Sequence, residues 1–328
     1  PYWRTDIHIA EDVIEEVGRL SGYDNITPTI PLHATATKDP MLTLKSDIRK
    51  TISSFGANEL LTYSFVHGDL LKKFGLSSED SYRIVNSISP DLQFVRQNIA
   101  PSLCQKAYDN LKDNYSSFAL FEMNQVFSKR DGLDEESVPI SKNHLGLVFA
   151  DKTKTSCYYQ AKYFLDQLLS KFNLSAEYTE GDMLPPFLEP KRSAIIKIGD
   201  LSLGFIGELK NSVSYSAKLP SGTAIFEISL DSLQKIATPT SKISEPSQFP
   251  IVARDITLSV PAKTPYAEIF NKLCEKLRHS QLIFTISPLS IYQKDELNKN
   301  LSFHIEFSHP DKTLTGQEIN AIILTMSE

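Results

Sequence analysis

The chain has 328 residues, 41% hydrophobic and 23% charged, with a formal charge of −6 at pH 7. That length points to two globular units plus an extra segment, and the composition excludes a disordered chain. The acidic balance excludes a protein that grips nucleic acid by bulk electrostatics, so any RNA contact is expected to be local.

The opening Pro1-Tyr-Trp-Arg-Thr-Asp6 has no methionine, basic n-region or apolar h-region, and no run of about 18 apolar residues follows, so neither a leader nor a membrane span is read. The chain is expected to be a piece of a larger cytoplasmic protein. Ile9, Val13, Ile14, Val17 and Leu20 recur at helical spacing and predict an amphipathic helix ended by Ser21-Gly22. Asn25 to Asp39, with Pro28 and Pro31, reads as an extended linker, which sets a boundary near residue 28.

Leu44, Ile48, Ile52 and Phe55 form the next helical stripe, followed by a strand over Glu59–Val66. A helix is expected over Asp69–Phe74, a strand over Tyr82–Asn86, a helix over Pro101–Asn114, and strands over Phe118–Phe127 and His144–Ala150. The last two read as antiparallel neighbours across the Asp131-Gly132 turn. Then come a helix over Tyr158–Phe172 and strands over Ser193–Ile198, Leu203–Gly207 and Ala224–Leu230, giving an antiparallel α+β sheet.

Ala237 to Gln248 is a polar, proline-bearing connector, and a new unit begins after it. Its predicted elements are a strand over Arg254–Val260, a helix over Tyr266–Arg278, a strand over Ile283–Tyr292 interrupted by Pro288, a strand over Leu301–Phe307 and a helix over Thr315–Met326. This βαββα order is one strand short of a ferredoxin-like fold. Cys104, Cys157 and Cys274 are odd in number and sit in apolar helical patterns, as reduced core thiols do.

Asp12, Glu15 and Glu16 share one helical face, with Asp6 upstream, so four carboxylates could converge on a hard cation such as magnesium. Acidic residues in a first helical turn also answer the helix dipole, and on the residues alone a solvated face is the better reading. No glycine-rich phosphate cradle, zinc-hydrolase pair or nucleophile elbow is present. Arg96 and Arg192 read as surface or interface salt bridges rather than ligand-binding groups. In the last unit Phe249, Arg254 and Lys312 are candidates to stack bases or contact phosphates, against a core role for Phe249.

The strings PYWRTDIHIAEDVIEEVGRLSGYDNI, TYSFV, VNSISPDLQFVRQNIAPSL, FALFEMNQVF, KRSAIIKIGDLSLGFIGELK, FEISLDSL, FPIVARDITLSV and KTLTGQEIN resemble, in order, the β subunit of bacterial phenylalanyl-tRNA synthetase. The resemblance implies three segments: 1–27, the tail of an upstream domain; 28–240, a catalytically inactive class II synthetase-like antiparallel sheet with flanking helices; and 241–328, a ferredoxin-like α/β sandwich lacking its last strand, which binds the anticodon. It further implies an (αβ)2 tetramer in which the α subunit uses ATP to join phenylalanine to its tRNA. This chain would supply no catalytic residue, contact no membrane, and turn the helix after residue 44 and the following strand toward α.

The resemblance also implies magnesium, shared with the α subunit, on Asp6, Asp12, Glu15 and Glu16. Glu189-Pro-Lys-Arg-Ser193 departs from the His-Pro-Gly-Arg-Ser often found there in the family, and the lacking strand is expected to leave a sheet edge open. Two other readings carry their own expectations. A magnesium-dependent hydrolytic site at the acidic cluster would lose activity in Asp12→Ala; a stand-alone RNA-binding module would bind diverse RNAs with steep salt dependence.

Overall fold

The computed structural model describes residues 2–30, 38–181, 184–237, 247–278, 280, 282–293 and 295–327. The chain divides into two compact units, Pro1–Ser241 and Lys242–Glu328. The connector expected over residues 237–248 lies, except at its ends, outside the described residues, as does part of the linker expected over residues 25–39.

Unit one opens with helix α1, Ala10–Ser21, which buries none of its residues, so Ile9, Val13, Ile14, Val17 and Leu20 stand exposed. Helix α2, Pro40–Ser54, starts where Asp39 Oδ1 accepts from the Met41 N–H at 2.8 Å and proline takes the first helical position. Its stripe of Leu44, Ile48 and Ile52 is buried as the spacing predicts. Phe55 falls past the helix end and packs edge-on against the ring of Tyr163.

Strand β1, Ala57–Glu59, is followed by β2, Phe65–Val66, helix α3, Gly68–Lys73, and β3, Phe94–Val95. The continuous strand expected over residues 59–66 is thus two short pieces, because Thr62 between them is drawn inward to the carboxylate of Glu122. The strand expected over residues 82–86 is also absent. Only an isolated antiparallel bridge of Arg83 to Phe94 forms, with Val95 N–H donating to Tyr82 O and Ile84 N–H to Gln93 O.

Helix α4, Ala100–Lys112, leads to the central strands β4, Ser117–Phe127, and β5, Ser141–Asp151, paired antiparallel over their whole length. Helix α5, Tyr158–Lys171, then precedes β6, Glu177–Thr179, β7, Leu188–Ile198, and β8, Leu201–Leu209. Short helix α6, Asn211–Ser216, strand β9, Ala224–Ser229, and helix α7, Leu230–Ile236, complete the unit. The sheet runs β1-β4-β5-β9-β8-β7-β6, antiparallel throughout except for β1 on β4.

Both sheet faces are covered. Helices α2, α5 and α7 pack on one around Phe121, Leu147, Ile206 and Phe226. On the other, α4 lies with Phe74 and Phe187 over Leu120, Val148, Phe205 and Ile225. Gly146 on β5 lets α4 approach closely, since a Cβ there would stand 3.0 Å from Ile99 Cγ2.

Unit two consists of β10, Val252–Pro261, α8, Tyr266–Arg278, β11, Ile283–Gln293, β12, Asn298–Ser308, and α9, Gly316–Ser327. Its antiparallel sheet runs β10-β12-β11. Pro288 cannot donate to the ladder, and the register shifts between Pro288 and Ser290 as a bulge. Leu301, Phe303, Ile305 and Phe307 alternate into a core with Leu273, Leu277 and Ile319 from the helices. The opposite face is open, and no strand pairs with the outer edge of β10 among the described residues. The whole is an α+β chain: an antiparallel sheet with flanking helices, then a three-stranded ferredoxin-like sandwich.

Candidate functional site

The acidic cluster of α1 folds around an arginine. Arg4 donates from Nε and Nη2 to the two carboxylate oxygens of Asp6, at 2.9 and 2.8 Å, and from Nη2 to Glu16 Oε1 at 2.7 Å. Arg19 donates to the other oxygen of Glu16. Asp12 is occupied differently: its Oδ2 accepts from the His8 and Ile9 backbone N–H groups at 2.7 and 3.0 Å and caps the helix start. Glu15 is exposed on the helix.

These contacts explain the ionisation of the cluster. The Arg4 guanidinium holds the Asp6 carboxyl down at about 2. Glu16 is lowered by Arg4 and then Arg19, Asp12 by the two backbone N–H groups, and Arg4 is raised by its carboxylate partners. Four carboxylates suit a hard divalent cation chemically. Their arrangement does not fit one: Asp6 and Glu16 close on a guanidinium and Asp12 on backbone. Among the described residues no group of three or more His, Cys, Asp or Glu side chains could hold a metal ion.

Inside unit one the buried charged groups are paired, whereas the buried hydroxyls of Ser102, Thr179 and Ser214 have no hydrogen-bond partner among the described residues. Arg96 and Glu122 are 1% and 0% exposed and bond at 3.0 Å, which corrects the reading of Arg96 as a surface or interface salt bridge. Arg96 also donates to Thr62 Oγ1 at 2.7 Å and Gln125 O at 3.1 Å, while Thr62 and Asn124 donate to Glu122. Glu227, fully buried on β9, accepts from the Ile99 and Ala100 N–H groups at the start of α4, both at 3.0 Å. Its other oxygen meets His144 Nδ1 at 2.8 Å. Glu208 takes the Ser156 hydroxyl and Arg192 Nη1, so Arg192 is a half-exposed partner of a buried carboxylate.

These three glutamates escaped the sequence reading. Each stands alone in an apolar strand, in FALFEMNQVF, FIGELK and AIFEISL, and that isolation was the available signal. The cysteines are free thiols: Cys104 and Cys157 are buried, and burial raises both.

In unit two, Phe249 is half-buried with its N–H on Ser247 Oγ. Arg254 is on the helix-covered face of β10, donating to Ala253 O, with its Nη2 beside Gly316 at the start of α9. Lys312 pairs with Glu318 in the first turn of α9 at 2.6 Å. Arg254 and Lys312 therefore share the α9 entry and neither stands on the open face. That face carries Asp255, Thr257 and Ser259 on β10, Asn300, Ser302, His304 and Glu306 on β12, and Thr285, Ser287, Ser290 and Tyr292 on β11. His304 Nδ1 contacts Asp255 at 2.6 Å, and Thr257 and Ser302 join hydroxyl to hydroxyl.

The Lys312 ammonium, then the Thr315 N–H and hydroxyl, hold the Glu318 carboxyl down at about 2. A depressed carboxylate contributes stability that is fully present above the ordinary range near about 4.3 and is lost as pH falls through its folded value. A carbon-detected NMR titration is expected to give Glu318 a midpoint near about 2 in the wild type, returning toward about 4.3 in Lys312→Ala. An unshifted wild-type midpoint would remove this pair from the α9 entry.

A family model described as "Phenylalanyl tRNA synthetase beta chain CLM domain" matches residues 26–230, and one described as "Ferredoxin-fold anticodon binding domain" matches residues 247–328. The chain is similar to the phenylalanine–tRNA ligase beta subunits of Carboxydothermus hydrogenoformans, at 28% identity over 98% of the chain, and of Thermotoga maritima, at 27% over 99%. It spans about two fifths of their lengths, 41% and 42%. Among solved structures, a pyrrolysyl tRNA synthetase from Desulfitobacterium hafniense aligns with a TM-score of 0.48 at 14% identity, covering 69% of this chain and 74% of that one.

Proposed function

The chain belongs to the family of phenylalanyl tRNA synthetase beta chains, and from that premise we propose that it is the part of a β subunit that supports a catalytic α subunit and helps hold phenylalanine tRNA through its second unit. In this reading ATP and phenylalanine react on α, the assembly is an (αβ)2 tetramer in the cytoplasm, and unit one is a scaffold. No helix among the described residues is long and apolar enough to cross a membrane.

The observation that carries the scaffold reading is the filled sheet of unit one. Its α4-covered face holds Arg96, Glu122, Glu227 and His144, groups that could serve chemistry, and all of them bond to internal partners. The apolar side chains of Phe74, Phe187 and Phe205 occupy the remaining surface. A synthetase site needs room for ATP and an amino acid between polar groups, and this face is packed instead.

The surface assigned to α is α2 with the segment that follows it. Along residues 61–65, Leu61, Tyr63 and Phe65 are exposed, while Thr62 and Ser64 are tied to Glu122 and to Arg96 N–H. An exposed apolar ladder on an anchored segment suits a partner chain. For tRNA, the open sheet of unit two offers hydroxyls, carboxylates and exposed Tyr292 but, among the described residues, no lysine or arginine. It suits base contact more than phosphate contact. Phosphates would then fall to Arg254 and Lys312 at the α9 entry, with Phe249 in the segment leading into β10.

Magnesium on Asp6, Asp12, Glu15 and Glu16 belongs to the same reading, but the arrangement of these side chains does not fit it: Arg4 and Arg19 would have to release Asp6 and Glu16, and the backbone N–H groups of His8 and Ile9 would have to release Asp12. When bound, such an ion would neutralise and cross-link these carboxylates. The test of the whole reading is to mix the chain with the α subunit from the same genome and with phenylalanine tRNA. Co-elution with α and retention of the tRNA are expected, with no phenylalanine-dependent pyrophosphate exchange by the chain alone. Exchange without α would overturn it.

A further inference from the structure

One end of the seven-stranded sheet gathers positive charge on a chain that is acidic as a whole, at −6. Register brings the loops together there. Ser117 at the start of β4 stands opposite Asp151 at the end of β5, Phe149 opposite Ala224 at the start of β9, Ala224 opposite Glu208, and Leu209 at the end of β8 opposite Leu188 at the start of β7. These five strands are consecutive neighbours, so at about 4.8 Å per strand the loops span about 20 Å across the sheet. Residues 112–117, 151–157, 188–193 and 208–223 carry Lys112, Lys152, Lys154, Lys191, Lys210 and Lys218, with Arg192, against four carboxylates, Asp113, Asp151, Glu189 and Glu208.

Two of those carboxylates are already engaged. Glu208 is buried and accepts from Ser156 and Arg192, and Asp151, 5% exposed, accepts from the Thr153 N–H and hydroxyl. The lysines are not: among the described residues none of the six forms an ion pair. Lys152 donates to Leu111 O at 3.0 Å, and Lys218 lies over the ring of Tyr108, 5.5 Å from its centre. Tyrosines stand among them: Tyr115 before β4, Tyr159 in the first turn of α5 and Tyr215 on α6, at 61%, 75% and 87% exposure.

We propose that this end of unit one is an RNA-binding surface, its lysines on backbone phosphates and Tyr115, Tyr159 and Tyr215 stacked on bases. Ammonium groups act on phosphates as point charges, and an exposed ring accepts any base, so the combination suits a single strand or a loop. Lys112 and Lys152 also serve the carbonyls at the end of α4. Lys154 and Lys191 serve no helix end, and Lys210 stands at the start of α6, where the helix dipole disfavours a cation. The apolar residues of the same loops, Val213 and Leu219, are buried, so the surface offers charge and rings rather than an apolar face for another protein. The choice of RNA among polyanions rests on the family reading. The positive end rests on the geometry alone.

The experiment measures binding of phenylalanine tRNA to the 328-residue chain over a series of salt concentrations. It compares the wild type with Lys154→Gln/Lys191→Gln and with Lys50→Gln/Lys171→Gln, whose lysines line a groove between α2 and the far end of α5. Each lysine on a phosphate contributes about one to the slope of log affinity against log salt, so the first pair is expected to lower the slope by about two. The second pair, of equal net charge, should leave it unchanged. Tyr215→Ala should weaken binding by about fivefold or more at an unchanged slope. A further measurement needs no variant: ultraviolet cross-linking of the tRNA, mapped by peptide mass spectrometry, should mark Tyr115, Tyr159 or Tyr215. Equal slopes in the two double variants, or cross-links confined to residues 247–328, would overturn the proposal. So would lysine-dependent retention on phosphatidylserine vesicles with tRNA binding unaltered, which would assign the surface to a membrane. Absence of tRNA binding by the wild type sinks the family reading as well, whereas intact binding with an unmoved slope sinks this inference alone.

Discussion

Arg96→Ala is expected to cost unit one about 3–5 kcal/mol, the usual penalty for leaving one member of a buried ion pair without its partner. Glu122 would remain at 0% exposure with only Thr62 and Asn124 to donate to it. Loss of Arg96 also frees Gln125 O, so the damage spreads along β4. Desolvation accounts for most of the penalty, so Arg96→Met with Glu122→Leu should recover much of the loss. Denaturant midpoints followed by circular dichroism would measure both effects. A single variant as stable as the wild type would mean that water reaches Glu122.

The second large effect is expected at Gly204. A Cβ built there would lie 2.0 Å from the carbonyl oxygen of Glu227 and 2.9 Å from Ile228 Cα, which are backbone atoms of the neighbouring strand and cannot swing aside. Gly204→Ala must push β9 away from β8, and β9 carries Glu227 to the start of α4. Overpacking in a core usually costs about 1–3 kcal/mol, and backbone overlap at a central pair of strands should reach at least the top of that range. An unchanged midpoint in the same denaturation experiment would show that β8 and β9 are not so closely paired.

Local signals carried most of the fold. Leu44, Ile48 and Ile52 gave α2 and its buried face, and Pro288 marked the break in β11. Misreadings arose where a distant residue took over. The segment after β1 has strand composition, but Thr62 turns to a glutamate sixty residues away. The strand expected over Ala224–Leu230 runs one residue past β9 and no helix was expected over α7, although Ser229 accepting from the Ser232 N–H is a local capping signal.

The acidic cluster was legible as a set of carboxylates, but its occupant was not. Periodicity places Asp12 and Glu16 on one face of α1 without saying which cation meets them. Arg4 was visible in the sequence as an ordinary basic residue two positions before Asp6. Its role became plain only once the chain before α1 was seen to turn back on the helix. The buried glutamates share this limit, since Glu227 meets Ile99 across 128 residues.

Glu227 also bears on how such a chain can change over generations. The start of α4 is an anion cradle already filled by the chain's own carboxylate. A variant that bound a phosphate there would first have to discard Glu227, uncovering two buried amides at about 1–3 kcal/mol each before any phosphate could replace it. The intermediate is less stable than either end point. The side chain therefore acts as a ratchet: it keeps the start of α4 closed to outside anions and makes phosphate binding at this helix hard to reach by single steps.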